Sequence, residues 1–150
     1  MEREYVISLM TSGGAWNGVL SLRKSRRKLR GTVLIVDDDT SILRAITRRL
    51  RADGFEVLTF DSPTLLLAAN IPKSNACLVL DVNLPEMDGA TLYEALVAAG
   101  CRLPVIMITG RNDSRTRRLI ERVKAVGVLF KPFDDTAFLE VISRALSLST

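Results

Sequence analysis

Five short, nearly apolar runs recur along the chain, at residues 33–36, 55–60, 76–80, 104–108 and 126–130, and each is followed by a stretch with helical spacing. A strand with one face in water alternates apolar and polar residues. These runs mostly do not alternate, so both of their faces must be covered. Strand–helix repeats of this kind specify a parallel sheet with helices on each side, and the right-handed crossover rule makes it a doubly wound α/β sandwich. The helical stretches carry their own punctuation. Ile42, Leu43, Ile46 and Leu50 sit at helical spacing behind Thr40 or Ser41 as the expected N-cap, and Asp53-Gly54 supplies the stop. Ser62-Pro63 opens a weak helix through residues 65–69, and Asp88-Gly89 opens one that runs through Leu92, Leu96 and Val97 to Gly100. Residues 112–125 and 134–148 complete the set.

With 150 residues, 47% hydrophobic and 25% charged, the chain has the size and composition of one globular domain with a real core. Its two cysteines, Cys77 and Cys101, lie in or beside apolar runs and read as small thiols in a reducing compartment, not as a disulfide framework. The chain has no histidine, which excludes Ser-His-Asp triads, histidine general bases and histidine metal sites. No apolar run reaches membrane-spanning length, and the expected location is the cytoplasm.

The formal charge of +4 conceals a division. Residues 1–30 carry seven basic side chains against two acidic ones, whereas residues 31–150 carry fourteen against fifteen. The boundary falls near Arg30-Gly31. The first segment could serve as a basic arm for nucleic acid or anionic lipid, or could come from a translation start set too far upstream. The favoured expectation is a disordered basic extension. Its cluster from Arg23 to Lys28 has no interleaved aromatics, so it offers no stacking platform for single strands.

In a doubly wound sheet the functional edge is the one at the carboxyl ends of the strands. There the first strand runs into Asp37, Asp38 and Asp39, the third into Asp81, the fourth into Thr109 and the fifth into Lys131. One charged residue at a strand end is ordinary. Carboxylates, a hydroxyl and an ammonium gathered at the same end of four strands form a chemical set. Oxygen donors without His or Cys suit a hard cation, Mg²⁺ first. An aspartate beside such a cation can act as a nucleophile on phosphorus, with Lys131 neutralising the transferred oxygens and Thr109 donating to one of them. No general base is required, because a carboxylate is already ionised at neutral pH.

The segments "VLIVDDD", "LVLDVNLPEMDG", "VIMITG" and "LFKPF", in this order and spacing, resemble the receiver domain of bacterial two-component response regulators over about residues 32–148. The resemblance implies a flavodoxin-like sheet of five parallel strands in the order 2-1-3-4-5, with domain limits of 31–150. It implies that Asp81 is the phosphoacceptor, taking a phosphoryl group from a sensor histidine kinase or histidine phosphotransfer protein. Asp38 and Asp81 would ligate Mg²⁺ directly, Asn83 through its backbone carbonyl and Asp37 through water. Lys131 would pair with the phosphoryl oxygens, Thr109 would be the switch hydroxyl, Asp39 a helix-start charge, and Lys131-Pro132 a cis bond. Such a domain is a switch and not an enzyme, its own chemistry being self-phosphorylation from small donors and self-dephosphorylation.

Two departures from the family pattern stand out. Val128 occupies the place of a Tyr or Phe, and the chain ends two residues past Leu148, which resembles stand-alone regulators that signal by binding another protein. "ITGRND" and "KPFDD" also resemble receivers of the nitrogen-fixation regulator group, by analogy of fold. The partner surface is expected on the fourth helix, fifth strand and fifth helix, where Arg111, Arg115, Arg117, Arg118, Arg122 and Lys124 face Asp113 and Glu121. They would suit an acidic downstream protein or a second copy. The competing readings are a Mg²⁺-dependent phosphatase on a similar sheet and a DNA-binding regulator acting through the basic arm. No recognition helix supports the latter, so nucleic acid is not an expected partner.

Overall fold

The computed structural model describes residues 29–149 in full and the backbone of residues 5–8 and 21–24. The expectation for residues 1–30 therefore lies largely outside the described residues. Within that segment, Tyr5–Ser8 (β1) and Ser21–Lys24 (β2) pair antiparallel, Tyr5 opposite Lys24 and Ser8 opposite Ser21. Beside the boundary drawn at Arg30-Gly31, Arg30 contacts the segment that leads into the second strand of the main sheet. Arg30 N–H donates to the Gly54 carbonyl at 3.0 Å, and its guanidinium lies 4.5 Å from the centre of the Phe55 ring.

From Thr32 onward the strand–helix alternation is as expected. The elements are β3 (Thr32–Val36), α1 (Thr40–Ala52), β4 (Glu56–Phe60), α2 (Pro63–Leu67), β5 (Ala76–Asp81), α3 (Gly89–Ala98), β6 (Val105–Thr109), α4 (Ser114–Glu121), β7 (Gly127–Phe130) and α5 (Asp135–Leu148). The sheet has five parallel strands in the order β4-β3-β5-β6-β7, which is 2-1-3-4-5 counted within it.

Side-chain alternation along the apolar runs divides the core in two. Leu34, Val36, Leu78, Leu80, Val105 and Met107 face a layer that includes Leu66 of α2, Leu92 and Leu96 of α3 and Leu119 of α4. Val33, Ile35, Cys77, Val79, Ile106 and Ile108 face Leu43, Ile46 and Leu50 of α1 and Phe138, Val141 and Ile142 of α5. All twelve of these strand side chains are fully buried, which is why the runs read as continuously apolar. Cys77 is among them, and its thiol is pushed up to about 12 by burial, consistent with an inert structural role. Cys77 and Cys101 are both free.

Several element ends differ from the sequence expectation, each for a local reason. The cap of α1 is Asp39, not Thr40 or Ser41: its carboxylate accepts from Ser41 N–H at 2.9 Å and Ile42 N–H at 3.2 Å. The fourth helix is shorter than residues 112–125. Asp113 caps it by accepting from Thr116 N–H, and Val126 N–H is already committed to the Val105 carbonyl on entry to β7. Strands β5 and β6 each extend one residue further than expected, so Asp81 and Thr109 are held by the sheet itself.

Gly89 ties the fold to that edge. Its N–H donates to the Val82 carbonyl at 2.9 Å as α3 begins. A Cβ added there would overlap the carbonyl oxygen of Asp81 and press on Met107. Backbone cannot yield as a flexible side chain can, so Gly89→Ala should destabilise by about 3 kcal/mol, read as a lower urea midpoint with an unchanged slope.

Candidate functional site

The parallel sheet delivers its chemistry through three neighbouring strands and one edge strand. Asp37 and Asp38 follow β3, Asp81 ends β5, Thr109 ends β6 and Lys131 follows β7. The peptide bond Lys131-Pro132 is cis.

Lys131 Nζ lies 2.6 Å from Asp37 Oδ2 and 2.9 Å from Asp81 Oδ2. The side chain of Asp37 is fully buried and that of Asp81 is 7% exposed, so this ammonium bridges two desolvated carboxylates. The second oxygen of each carboxylate is also engaged. Asp37 Oδ1 accepts from Asp39 N–H at 2.9 Å, and Asp81 Oδ1 accepts from Asn83 N–H at 3.0 Å. Asp38 is exposed.

Burial pushes the Asp81 carboxyl above the ordinary carboxylate range. The Asn83 N–H and Lys131 oppose that shift, and the Asp37 charge adds to it. Lys131 also moves upward. Burial favours its neutral form, but hydrogen bonds and attraction from Asp37 and Asp81 outweigh burial. The two shifts are compatible: one cation serves two anions, so the cation is over-compensated and the anion is under-compensated.

The site accommodates a hard cation. Asp37, Asp38 and Asp81 can each bring one carboxylate oxygen to within 4.8 Å of the others. Asn83 Oδ1 is buried and has no partner among the protein groups, one more oxygen donor at the same edge. Asp37 is the residue expected to act on the cation through water. In the structure it is the most deeply buried member of the cluster.

Thr109 is wholly buried, and its hydroxyl is fully occupied. It accepts from Asn83 Nδ2 at 2.9 Å and from Arg111 N–H at 3.0 Å, and donates to the Arg111 carbonyl at 3.2 Å. Sequence reasoning gave Asn83 only a backbone role and missed its side chain, because the partner lies 26 residues away. Asn83 and Arg111 also wall a cleft of about 630 Å³ beside the site, together with Pro85, Met87, Asp88 and Arg115. Val128 is half-buried beside Met107 and packs into the core, while Phe130 is 46% exposed at the end of the edge strand. No rotatable aromatic ring therefore stands at position 128.

Comparison with known proteins agrees with this arrangement. Residues 33–143 match the response regulator receiver domain. Nodulation protein W of Bradyrhizobium diazoefficiens is 33% identical over 136 residues, which cover 91% of this chain and 59% of that protein. The transcriptional regulatory protein FixJ of Azorhizobium caulinodans is 31% identical over 117 residues, covering 78% of this chain and 56% of that protein. The crystal structure of a CheY-like receiver domain protein from Methanospirillum hungatei JF-1 superposes with a TM-score of 0.71 at 27% identity, covering 81% of this chain and 96% of that one. This chain spans between 52% and 59% of the length of the first relatives it matches. Taken with a 2-1-3-4-5 parallel sheet and an acid cluster at its carboxyl edge, the match over residues 33–143 shows that the chain belongs to the response regulator receiver domain family, the phosphoacceptor switches of two-component systems.

Proposed function

We propose that Asp81 is the group that accepts the phosphoryl, from a phosphohistidine on a sensor kinase or phosphotransfer protein, and that the resulting acyl phosphate changes partner binding. The observation that carries this reading is the environment of Asp81. It is a buried carboxylate at the end of the central strand, with one oxygen on a backbone N–H and the other on Lys131. Those contacts fix its orientation before a donor arrives. One Asp81 oxygen attacks phosphorus, the P–N bond to the donor imidazole breaks, and the imidazole leaves with a proton. Lys131, already against Asp81 Oδ2, is placed to neutralise the transferred oxygens. As Lys131 moves toward those oxygens, its ammonium would keep anionic partners throughout.

Mg²⁺ is the cation the donor set fits: Asp38, Asp81 and the backbone carbonyl of Asn83 would hold it, with Asp37 acting through water, and it would supply positive charge to the phosphoryl oxygens. At tenfold over its Kd, Mg²⁺ should stabilise the protein by about 1.4 kcal/mol. Thermal melts in EDTA and in millimolar Mg²⁺ check this; Asp38→Ala should remove most of the response.

The basic surface of α4 supports an acidic partner or a second copy. Arg111, Arg115, Arg117 and Arg118 are exposed, while Arg122 is taken up by Glu94 at 3.0 and 2.7 Å. Such a switch would work in the cytoplasm, where kinases of this class act; among the described residues no helix is long and apolar enough to cross a membrane. Acetyl phosphate with Mg²⁺ should add one acid-labile phosphoryl group to the intact chain. The domain itself catalyses no reaction on another molecule beyond taking and losing that group. Absence of any mass change under these conditions would refute the reading.

A further inference from the structure

We propose that the side chain of Asn83 is a positioning residue that latches Thr109 in the unphosphorylated arrangement, so that loss of one hydrogen bond, Asn83 Nδ2 to Thr109 Oγ1, is part of switching. The proposal rests on the phosphoacceptor reading above and names a step in its regulation.

A threonine hydroxyl has one proton to give and two lone pairs to accept with. In this structure Thr109 uses all three. Asn83 Nδ2 and Arg111 N–H donate to it, and its own proton goes to the Arg111 carbonyl. The hydroxyl therefore cannot donate to an oxygen on Asp81 without first giving up its bond to Arg111. Turning the O–H bond away redirects the lone pairs as well, so the Asn83 contact is lost in the same motion. Both Arg111 bonds belong to the loop between β6 and α4, so that loop is released with the hydroxyl.

Asn83 also touches the reacting end. Its backbone N–H holds Asp81 Oδ1 at 3.0 Å while its side chain holds Thr109. One residue thus connects the acceptor carboxylate to the switch hydroxyl. The latch is a weak one. The amide makes a single side-chain hydrogen bond, and its Oδ1 is buried without a partner. A buried acceptor left unpaired offsets much of what the Nδ2 bond contributes. The amide has somewhere to go, because Asn83 lines the cleft of about 630 Å³ that it shares with Arg111. The missing aromatic at position 128 makes this connection more important. The half-buried Val128 is stiff at its first torsion, which leaves the Thr109–Arg111 loop as the route outward.

The test uses beryllofluoride, a stable phosphoryl mimic, with Mg²⁺ and the full chain. If one neutral hydrogen bond, partly offset, holds the closed arrangement, Asn83→Ala should tighten beryllofluoride binding by about twofold. Asn83→Ser, which is too short to reach, should do the same. A residue with a merely structural role would weaken binding when removed. In a Thr109→Ala background, Asn83→Ala should have no further effect, because the coupled partner is gone. In the protein without mimic, the Arg111 amide resonance should already be displaced in Asn83→Ala toward its mimic-bound position. Unchanged or weaker binding in both Asn83 variants, or an unmoved Arg111 amide, would overturn the latch. A wild-type protein that fails to bind beryllofluoride would refute the phosphoacceptor reading instead; the latch is then decided in the free protein, where Asn83→Ala should displace the Arg111 amide resonance and an unmoved resonance would overturn it.

Discussion

Lys131→Met should lower the unfolding free energy by about 3–5 kcal/mol in the absence of divalent cation. Methionine keeps the length and much of the volume of lysine, so the change isolates the charge. What remains is Asp37 and Asp81, both buried and no longer sharing a cation. Two carboxylates in such a place cannot both stay ionised cheaply, and removing one partner of a buried ion pair leaves the penalty of the other uncompensated. Lys131 joins residues 94 and 50 positions away in sequence, so its loss loosens the meeting of β3, β5 and β7 at one edge. Equilibrium urea unfolding in EDTA measures the effect. Asp37→Asn added to Lys131→Met should recover a large part of it, and so should millimolar Mg²⁺. If Lys131→Met melts with the wild type, the ion pair has no structural weight and the electrostatic account of the site is wrong.

Asp81→Asn should have opposite effects on two observables. Phosphorylation should be lost entirely. Stability without Mg²⁺ should rise at neutral pH, because the substitution removes a buried charge and keeps the shape. The sign follows from the shift at Asp81. A carboxyl whose folded-state pKa is raised binds its proton more tightly in the folded protein. Its favourable contribution is complete below the ordinary carboxylate pKa and is lost as pH rises through the raised value. The stability advantage of Asp81→Asn over wild type should therefore shrink toward zero as pH falls below the ordinary carboxylate range. The same shift predicts that phosphorylation declines on acidification earlier than an exposed aspartate would allow. Melting curves of both proteins from neutral to acidic pH in EDTA provide the check. A neutral-pH loss of stability in Asp81→Asn would show that Lys131 over-compensates the charge.

The architecture was legible because its signal is spread over many residues. Val33–Val36, Cys77–Leu80 and Ile106–Ile108 are buried on both faces, and no arrangement other than a covered parallel sheet treats them alike. Asp37, Asp38, Asp81, Thr109 and Lys131 were found for a related reason: each stands where an apolar run stops. What the sequence hid depends on single contacts. Asp39 serves as the α1 cap because its carboxylate reaches Ser41 and Ile42, and nothing in composition ranks it above Thr40 or Ser41. The early end of α4 follows from the pull of β7 on Val126. The pairing of β1 with β2 rests on four-residue segments with no strong apolar pattern. The Asn83–Thr109 bond joins the loop after β5 to the end of β6, which only the folded sheet brings together.

On the phosphoacceptor reading, one carboxylate, Asp81, carries the phosphoryl group. An acyl phosphate is reduced by borohydride at its carbonyl carbon, which turns the aspartate that bore it into homoserine. The protein should be treated with acetyl phosphate and Mg²⁺, reduced with borohydride, digested, and sequenced by mass spectrometry across all 150 residues. Homoserine is expected at position 81 alone, dependent on Mg²⁺ and absent when acetyl phosphate is omitted. Homoserine at Asp37 or Asp38, or an unmodified Asp81 in a chain that has gained a phosphoryl group elsewhere, would contradict it.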